Sequence, residues 1–398
     1  MTRQLQDAYI VAATRTAVGK APRGVFKSTR PDTLLAHALS SVLAQVPSLD
    51  AKRVEDVIVG CAMPEYEQGM NVARIGVLLA GLPSSVAGMT INRFCSSGLN
   101  AVSIAADRIR TGEADIVIAA GTESMSMIPM LGRLALNEAV FARGENVGIA
   151  YGMGLTAEKV AAQWKISRDA QDAFALESHR RALAAQAAGE FVQEITPFTV
   201  HEDLPDLSAE RIVTRTKEVT QDEGPRADTS AEGLARLRPV FAAKGSVTAG
   251  NSSQMSDGAG ASILVSERVL RELNLAPLAR WVGFAVAGVP PEIMGIGPIA
   301  AIAKALAKTG IRQDQLDWIE LNEAFAAQAL AVMHDLALDP AKVNPLGGAI
   351  ALGHPLGATG AIRTATITHG LRRRKGKYGM VSMCVGTGMG AAGIFEAA

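Results

Sequence analysis

The chain has 398 residues, with Lys+Arg and Asp+Glu balanced at 39 each and hydrophobic residues at 48%. Zero net charge and an aromatic share of 4% argue against a general nucleic-acid or membrane-surface binder, which needs a basic face or stacking rings. At about 150 residues per domain, the length predicts two or three domain-sized units around a large core rich in small residues.

In chain order, residues 8–13 read as a strand, 33–46 as a helix, 56–59 as a strand and 71–80 as a helix. Residues 88–94 read as a strand, 98–110 as a helix and 115–120 as a buried strand. This alternation predicts a parallel or mixed sheet with helices on its faces. Residues 123–245 differ. They begin Met-rich, turn helical over 156–188 with Ser167 as an N-cap, and end in a charged, turn-rich stretch over 201–228. The last part repeats the opening plan. Helices are expected over 300–308, 324–334 and 358–371, and strands over 318–321, 380–384 and 393–395. Weak but ordered similarity links VEDVIVG (54–60) to LDWIELN (316–322), and DIVIAAGT (115–122) to GMVSMCVGT (379–387). We read an internal duplication interrupted by an inserted loop domain. The units expected are 1–122 with 246–275, then 123–245, then 276–398.

No stretch reaches the roughly 18 apolar residues of a membrane span. The opening MTRQLQDAYIVAA lacks a signal-peptide layout, and GIFEAA carries no organelle address. The three cysteines are odd in number and far apart. They predict neither a disulfide framework nor a metal pair, and they suit a reducing, cytoplasmic compartment. The basic run Arg372–Lys375 reads as a solvated helix C-terminus.

Four segments carry chemistry. In INRFCSSGL a strand runs into Cys95, and Ser96 and Ser97 offer caps to the next helix. A helix N-terminus favours thiolate, although position alone leaves Cys95 open between a reactive and an inert buried thiol. In GGAIALGHPLGATG, His354 stands among glycines, where backbone and ligand can approach, and could take a proton or donate to an oxyanion. In CVGTGMG a strand feeds Cys384 into a glycine loop. Its likeness to a dinucleotide fingerprint fails, because no crossover helix follows and no acidic residue lies about 20 positions on. In LNEAF, Asn322 ends a strand where it can hold a water or a carbonyl.

Taken together, NRFCSSGLNA, NEAFAAQ, GGAIALGHPLGATG and CVGTGMG resemble the thiolase family in content and order. MGLTAEKVA (153–161) and SVTAGNSSQMSDGA (246–259) add to the resemblance, which runs essentially end to end. It implies two βαβαβαββ units stacked as an α/β five-layer αβαβα sandwich with a loop domain over the site, and a homodimer or homotetramer. It implies that Cys95 is acylated, that His354 activates it, and that Cys384 is the general acid/base. Asn322 would hold an oxyanion water with His354, and the N–H groups of Cys95 and Gly386 would form a second oxyanion hole. Coenzyme A would be the co-substrate, held by Met153, Arg226, Phe241, Ala249, Ser253 and Phe325, with no metal. By themselves, Arg226 reads equally as a solvent-facing arginine and the two phenylalanines as core. His37, His179, His201, His334 and His369 show no constellation, and Cys61 reads as packing.

Members devoted to acetoacetyl-CoA often carry a His where this chain has Gly152, and NSSQMSDG looks like the degradative members. The expectation is therefore a 3-ketoacyl-CoA thiolase of fatty-acid β-oxidation, with the acetoacetyl-CoA enzyme as the alternative. A hydratase/dehydrogenase partner is left open. Rivals are a decarboxylating ketoacyl synthase, which lacks the acid/base cysteine, a non-catalytic CoA- or lipid-binding relative, and a redox pair made by Cys95 and Cys384.

Overall fold

The computed structural model describes residues 5–130 and 135–398. The opening part forms β1 (Ala8–Arg15), β2 (Gly19–Lys20), α1 (Pro31–Ala44), β3 (Asp56–Gly60), α2 (Val72–Leu79), β4 (Ala87–Ile91), α3 (Ser97–Arg110) and β5 (Ile116–Ser124). Next come α4 (Met153–Gln163), α5 (Arg168–Ala187), a hairpin of β6 (Phe198–Asp206) and β7 (Arg211–Val219), and α6 (Ala231–Ala235). After them lie β8 (Ser256–Ser266) and α7 (Glu267–Glu272). The closing part forms β9 (Ala279–Gly288), α8 (Gly297–Thr309), β10 (Leu316–Leu321), α9 (Ala326–Asp335), α10 (Ala349–Leu352), α11 (Leu356–Arg374), β11 (Tyr378–Val385) and β12 (Met389–Ala397).

Strand pairing displays the duplication. The order in one half is β4-β3-β5-β8-β1, with β3 parallel to β4 and β5 and the other pairings antiparallel. In the other half β10, β11, β12 and β9 follow in the same relation, and a parallel bridge from Ile319 to Val343 stands where β4 stands in the first. Among the described residues the halves pair edge to edge at Tyr9–Arg280 and Ile10–Ala279.

Five layers result. α1 and α2 cover the outer face of the first half, and α8 and α9 that of the second. α3 and α11 lie between the sheets. Their crossing explains the abundance of small residues. A Cβ on Gly98 would stand 2.6 Å from the Ala361 nitrogen, and one on Gly360 would stand 2.1 Å from the Leu99 nitrogen. Every residue of α11 from Leu356 to Leu371 is buried. Two of its hydroxyls are satisfied within the helix: Thr364 donates to the Gly360 carbonyl at 2.8 Å and Thr368 to the Thr364 carbonyl at 2.8 Å.

The expected elements recur with shifted ends, and two segments differ. The block over 156–188 is two helices broken at Trp164–Ser167, where Lys165 takes φ 55°. Ser167 does cap the second, accepting from the Ala170 N–H at 3.2 Å. The charged stretch after His201 is largely the β6–β7 hairpin rather than a run of turns. Its exposed, highly polar strands hide the period-two signal. The basic run ends α11 at the surface as expected, with Arg373 bonded to Glu190 at 2.8 Å. Among the described residues no helix is long and apolar enough to cross a membrane.

A buried ion cluster fastens β1 to the residues between the halves. Arg15 is 2% exposed and reaches Glu194 at 2.7 Å and Asp222 at 2.6 and 2.9 Å. Asp222 also accepts from the Val18 N–H at 2.8 Å. Removing one partner of such a cluster leaves uncompensated buried charge. Arg15→Ala is expected to cost about 3–5 kcal/mol, read as a lower urea midpoint.

Candidate active site

The Cys95 turn is built by short-range hydrogen bonds. β4 stops at Ile91, so the strand ends earlier than the sequence suggests. Asn92 Oδ1 accepts from the Phe94 N–H at 2.8 Å, and Asn92 Nδ2 donates to the Ala62 carbonyl at 3.0 Å. Phe94 adopts φ 43°, a left-handed conformation that turns the chain into α3. Ser96 and Ser97 do not cap that helix. Ser97 Oγ accepts from the Arg93 N–H at 2.8 Å and donates to the Phe94 carbonyl at 2.7 Å, while Ser96 Oγ donates to the Arg93 carbonyl at 3.2 Å. Both serines lock the elbow itself.

The partly buried Cys95 faces two N–H donors, those of Gly386 and of Cys95 itself. Burial outweighs them and pushes its thiol up to about 11. The thiolate expected from the helix N-terminus is therefore not the resting form, because desolvation dominates the dipole.

His354 sits in the turn between α10 and α11, after Gly353 at φ 93°. Its N–H donates to Ser256 Oγ at 3.1 Å and to the Gln254 carbonyl at 3.2 Å. Its Nδ1 lies 2.6 Å from Thr359 Oγ1, which donates onward to the Pro355 carbonyl at 3.2 Å. In the tautomer with the ring proton on Nδ1, Nε2 is an acceptor and meets Asn322 Nδ2 at 3.3 Å. Burial, and then the Arg363 guanidinium, lower the imidazole to about 3, so it is neutral at physiological pH.

Asn322 follows β10, held by its N–H on the Ser382 carbonyl at 2.9 Å. Its Oδ1 is buried without a partner among the described residues, so Asn322 presents an acceptor as well as the Nδ2 donor that faces His354. Glu323 anchors this corner. Its carboxylate accepts from Ser178 Oγ at 2.7 Å, Asn344 Nδ2 at 2.8 Å and the Ile350 N–H at 3.2 Å. Cys384 ends β11, fully buried, and its thiol is pushed far up by burial and then by the neighbouring Cys95. The following turn, with Thr387 at φ 68° and Gly388 at φ 90°, brings Gly386 beside Phe94 and Met153. Cys95, Gly386 and Cys384 are thus neighbours, His354 and Asn322 form a second pair, and the bond from the Asn322 N–H to the Ser382 carbonyl joins the two groups.

The six other candidates divide. Met153 and Phe325 pack in one apolar cluster with Cys384 and Met294. Phe241 is 39% exposed and meets the buried Phe325 edge-on at 6.1 Å. Arg226 and Ala249 line a cleft of about 450 Å³ together with Lys20, His179 and Gln254. The cleft lining does not include Cys95, His354 or Cys384. Ser253 joins the two regions through a strip that bridges Ser252 to Phe325 and Met255 to His354. His179, which the sequence places in no constellation, accepts from the Arg226 N–H at 3.2 Å. Its imidazole is lowered to about 4, by burial first and then by Arg226 and Lys20. Sequence offered no signal for His179 or Lys20. Thr359 lies in the quoted GATG string, but its role needs the turn geometry.

The chain matches the Thiolase, N-terminal domain family over residues 8–268 and the Thiolase, C-terminal domain family over 275–397. It belongs to the thiolase family. It is 46% identical to a 3-ketoacyl-CoA thiolase of Bacillus subtilis, over 98% of this chain and 100% of that protein. It is 46% identical to the peroxisomal 3-ketoacyl-CoA thiolase of Homo sapiens, over 98% and 91% of the two chains. Among solved structures, the acetyl-CoA acetyltransferase of Bacillus anthracis superposes with a TM-score of 0.90 at 40% identity, covering 100% of both chains. The dimeric peroxisomal thiolase of Saccharomyces cerevisiae gives 0.89 at 43%, covering 99% and 98%.

Proposed function

We propose that the protein is a degradative 3-ketoacyl-CoA thiolase, an acyltransferase that cleaves 3-ketoacyl-CoA with coenzyme A to give acetyl-CoA and a shortened acyl-CoA. The observation that carries this reading is the set of two neighbouring thiols, an N–H pair aimed at Cys95, and a neutral imidazole whose Nε2 meets Asn322. Cys95 Sγ attacks the C3 carbonyl as its proton passes to His354 Nε2. The C2–C3 bond breaks and its electron pair becomes the acetyl-CoA enolate. Cys384 gives its proton to C2, and acetyl-CoA leaves. The incoming CoA thiol returns a proton to Cys384 and attacks the Cys95 thioester. Cys95 departs and regains its proton from His354. The N–H groups of Cys95 and Gly386 face the thioester oxygen, and Asn322 with His354 faces the enolate oxygen.

Lys20, His179 and Arg226 make the cleft a receptor for the phosphates of coenzyme A, and the 249–255 strip guides its thiol inward. Arg226→Ala is expected to raise the KM for coenzyme A about tenfold, with kcat within about twofold, because that contact is the same in ground and transition states. Steady-state kinetics with varied coenzyme A check it.

A homodimer suits the edge strand β4, where Met89 is exposed beside Leu78 and Leu79 of α2. A reducing compartment suits three free cysteines, two of which the reaction needs as thiols. The deciding experiment is CoA-dependent cleavage across 3-ketoacyl-CoA chain lengths. Activity extending to medium and long chains supports the degradative reading. Activity confined to acetoacetyl-CoA replaces it with the acetyltransferase reading.

A further inference from the structure

Behind the reacting groups lies a buried carboxylate that the proposed chemistry does not use. Glu123, near the end of β5, is 1% exposed. Its Oε2 accepts from the N–H groups of Ala62 and Gly357, each at 2.8 Å. Its Oε1 accepts from Gln68 Nε2 at 2.7 Å and from the Met63 N–H at 3.2 Å. The Cys61 thiol lies 3.9 Å from Oε1. Every one of these partners is a donor, so the group is held as a carboxylate even though burial raises its affinity for a proton.

The donors belong to two different parts of the site. Gly357 is in the first turn of α11, three residues past His354. Ala62 accepts from Asn92, and Asn92 holds the Phe94 N–H that sets the elbow before Cys95. One carboxylate therefore ties the turn carrying the nucleophile in the first half to the helix that follows the base in the second. Gln68 stiffens the tie, since its Oε1 accepts from the Ser124 N–H at 2.6 Å.

We propose that Glu123 is a positioning residue that sets Cys95 against His354, resting on the thiolase reading above. Its negative charge also disfavours the Cys95 thiolate. Geometry and charge can therefore be separated by two variants. Glu123→Gln removes the charge and puts an amide NH2 among N–H donors, so one tie must break. Glu123→Asp keeps the charge but shortens the reach, so it cannot hold both Ala62 and Gly357.

The experiment compares kcat, the KM for coenzyme A and the pH profile of Cys95 alkylation by iodoacetamide in wild type and both variants. Both variants are expected to lose about 30- to 100-fold in kcat, the cost of a misplacement of about 1 Å, with KM within about twofold. Only Glu123→Gln is expected to move the alkylation profile to lower pH. A kcat within about threefold of wild type in a folded variant overturns the proposal. So does an alkylation profile that moves equally in both variants or in neither. If Glu123→Gln does not fold, Glu123→Asp decides alone: selective loss of kcat supports the role, and wild-type kcat overturns it. A wild type that cleaves no 3-ketoacyl-CoA sinks the proposed function, and the alkylation comparison then decides the role of Glu123.

Discussion

Cys95→Ala is expected to lower thiolytic cleavage by about 10⁵-fold or more while leaving the fold intact, because it deletes the atom that carries the acyl group. The same variant should give no acyl-enzyme mass with a 3-ketoacyl-CoA. Since the resting thiol is pushed up to about 11 and His354 down to about 3, the pair is neutral at pH 7. Proton transfer from Cys95 must accompany attack rather than precede it. The alkylation rate of wild-type Cys95 should accordingly keep rising with pH beyond 9, in step with the thiolate fraction. A plateau near neutrality would reveal a preformed ion pair and sink this picture. Retained cleavage in Cys95→Ala would overturn the covalent mechanism.

Cys384→Ala carries the second large effect, a loss of about 10³-fold in cleavage, typical of removing a general acid/base. Its buried thiol is held protonated by desolvation and by Cys95, which suits a group whose first act is to donate to carbon. The variant should still take up an acetyl group slowly from acetyl-CoA, since Cys95 and His354 remain and a thiolate can leave without prior protonation. Intact-mass measurement separates the two steps. Near-normal cleavage in Cys384→Ala would instead favour a synthase-type use of the fold, in which no second thiol takes part.

The positions of Cys95, His354, Asn322 and Cys384 were legible because each ends an apolar strand or opens a helix within a glycine- or asparagine-containing string. Secondary-structure alternation was legible for the same reason, since buried strands such as β5 open on unbroken apolar runs, here Ile116–Ala120. Ionisation was not. The sequence shows a helix N-terminus beside Cys95, whereas the depth of burial that reverses its effect depends on α11 and β11, which lie far along the chain. The burial of α11 was equally hidden, because its threonines, Arg363 and His369 look like a solvated face until their internal partners are seen. Glu123 gave a faint signal, a lone acid closing an apolar strand, but its meaning lies in donors from Ala62 and Gly357 that no local pattern reveals.

The pairing order that repeats in the two halves puts Cys95 and His354 at corresponding points, each just ahead of the central helix of its own half. Two identical subunits placed this way would offer the same residue from both sides. Joined in a single chain, the two positions are free to differ, and here one holds a thiol and the other an imidazole. The asymmetry that the proposed chemistry requires is thus open to two like halves in one chain, a division of labour between twins.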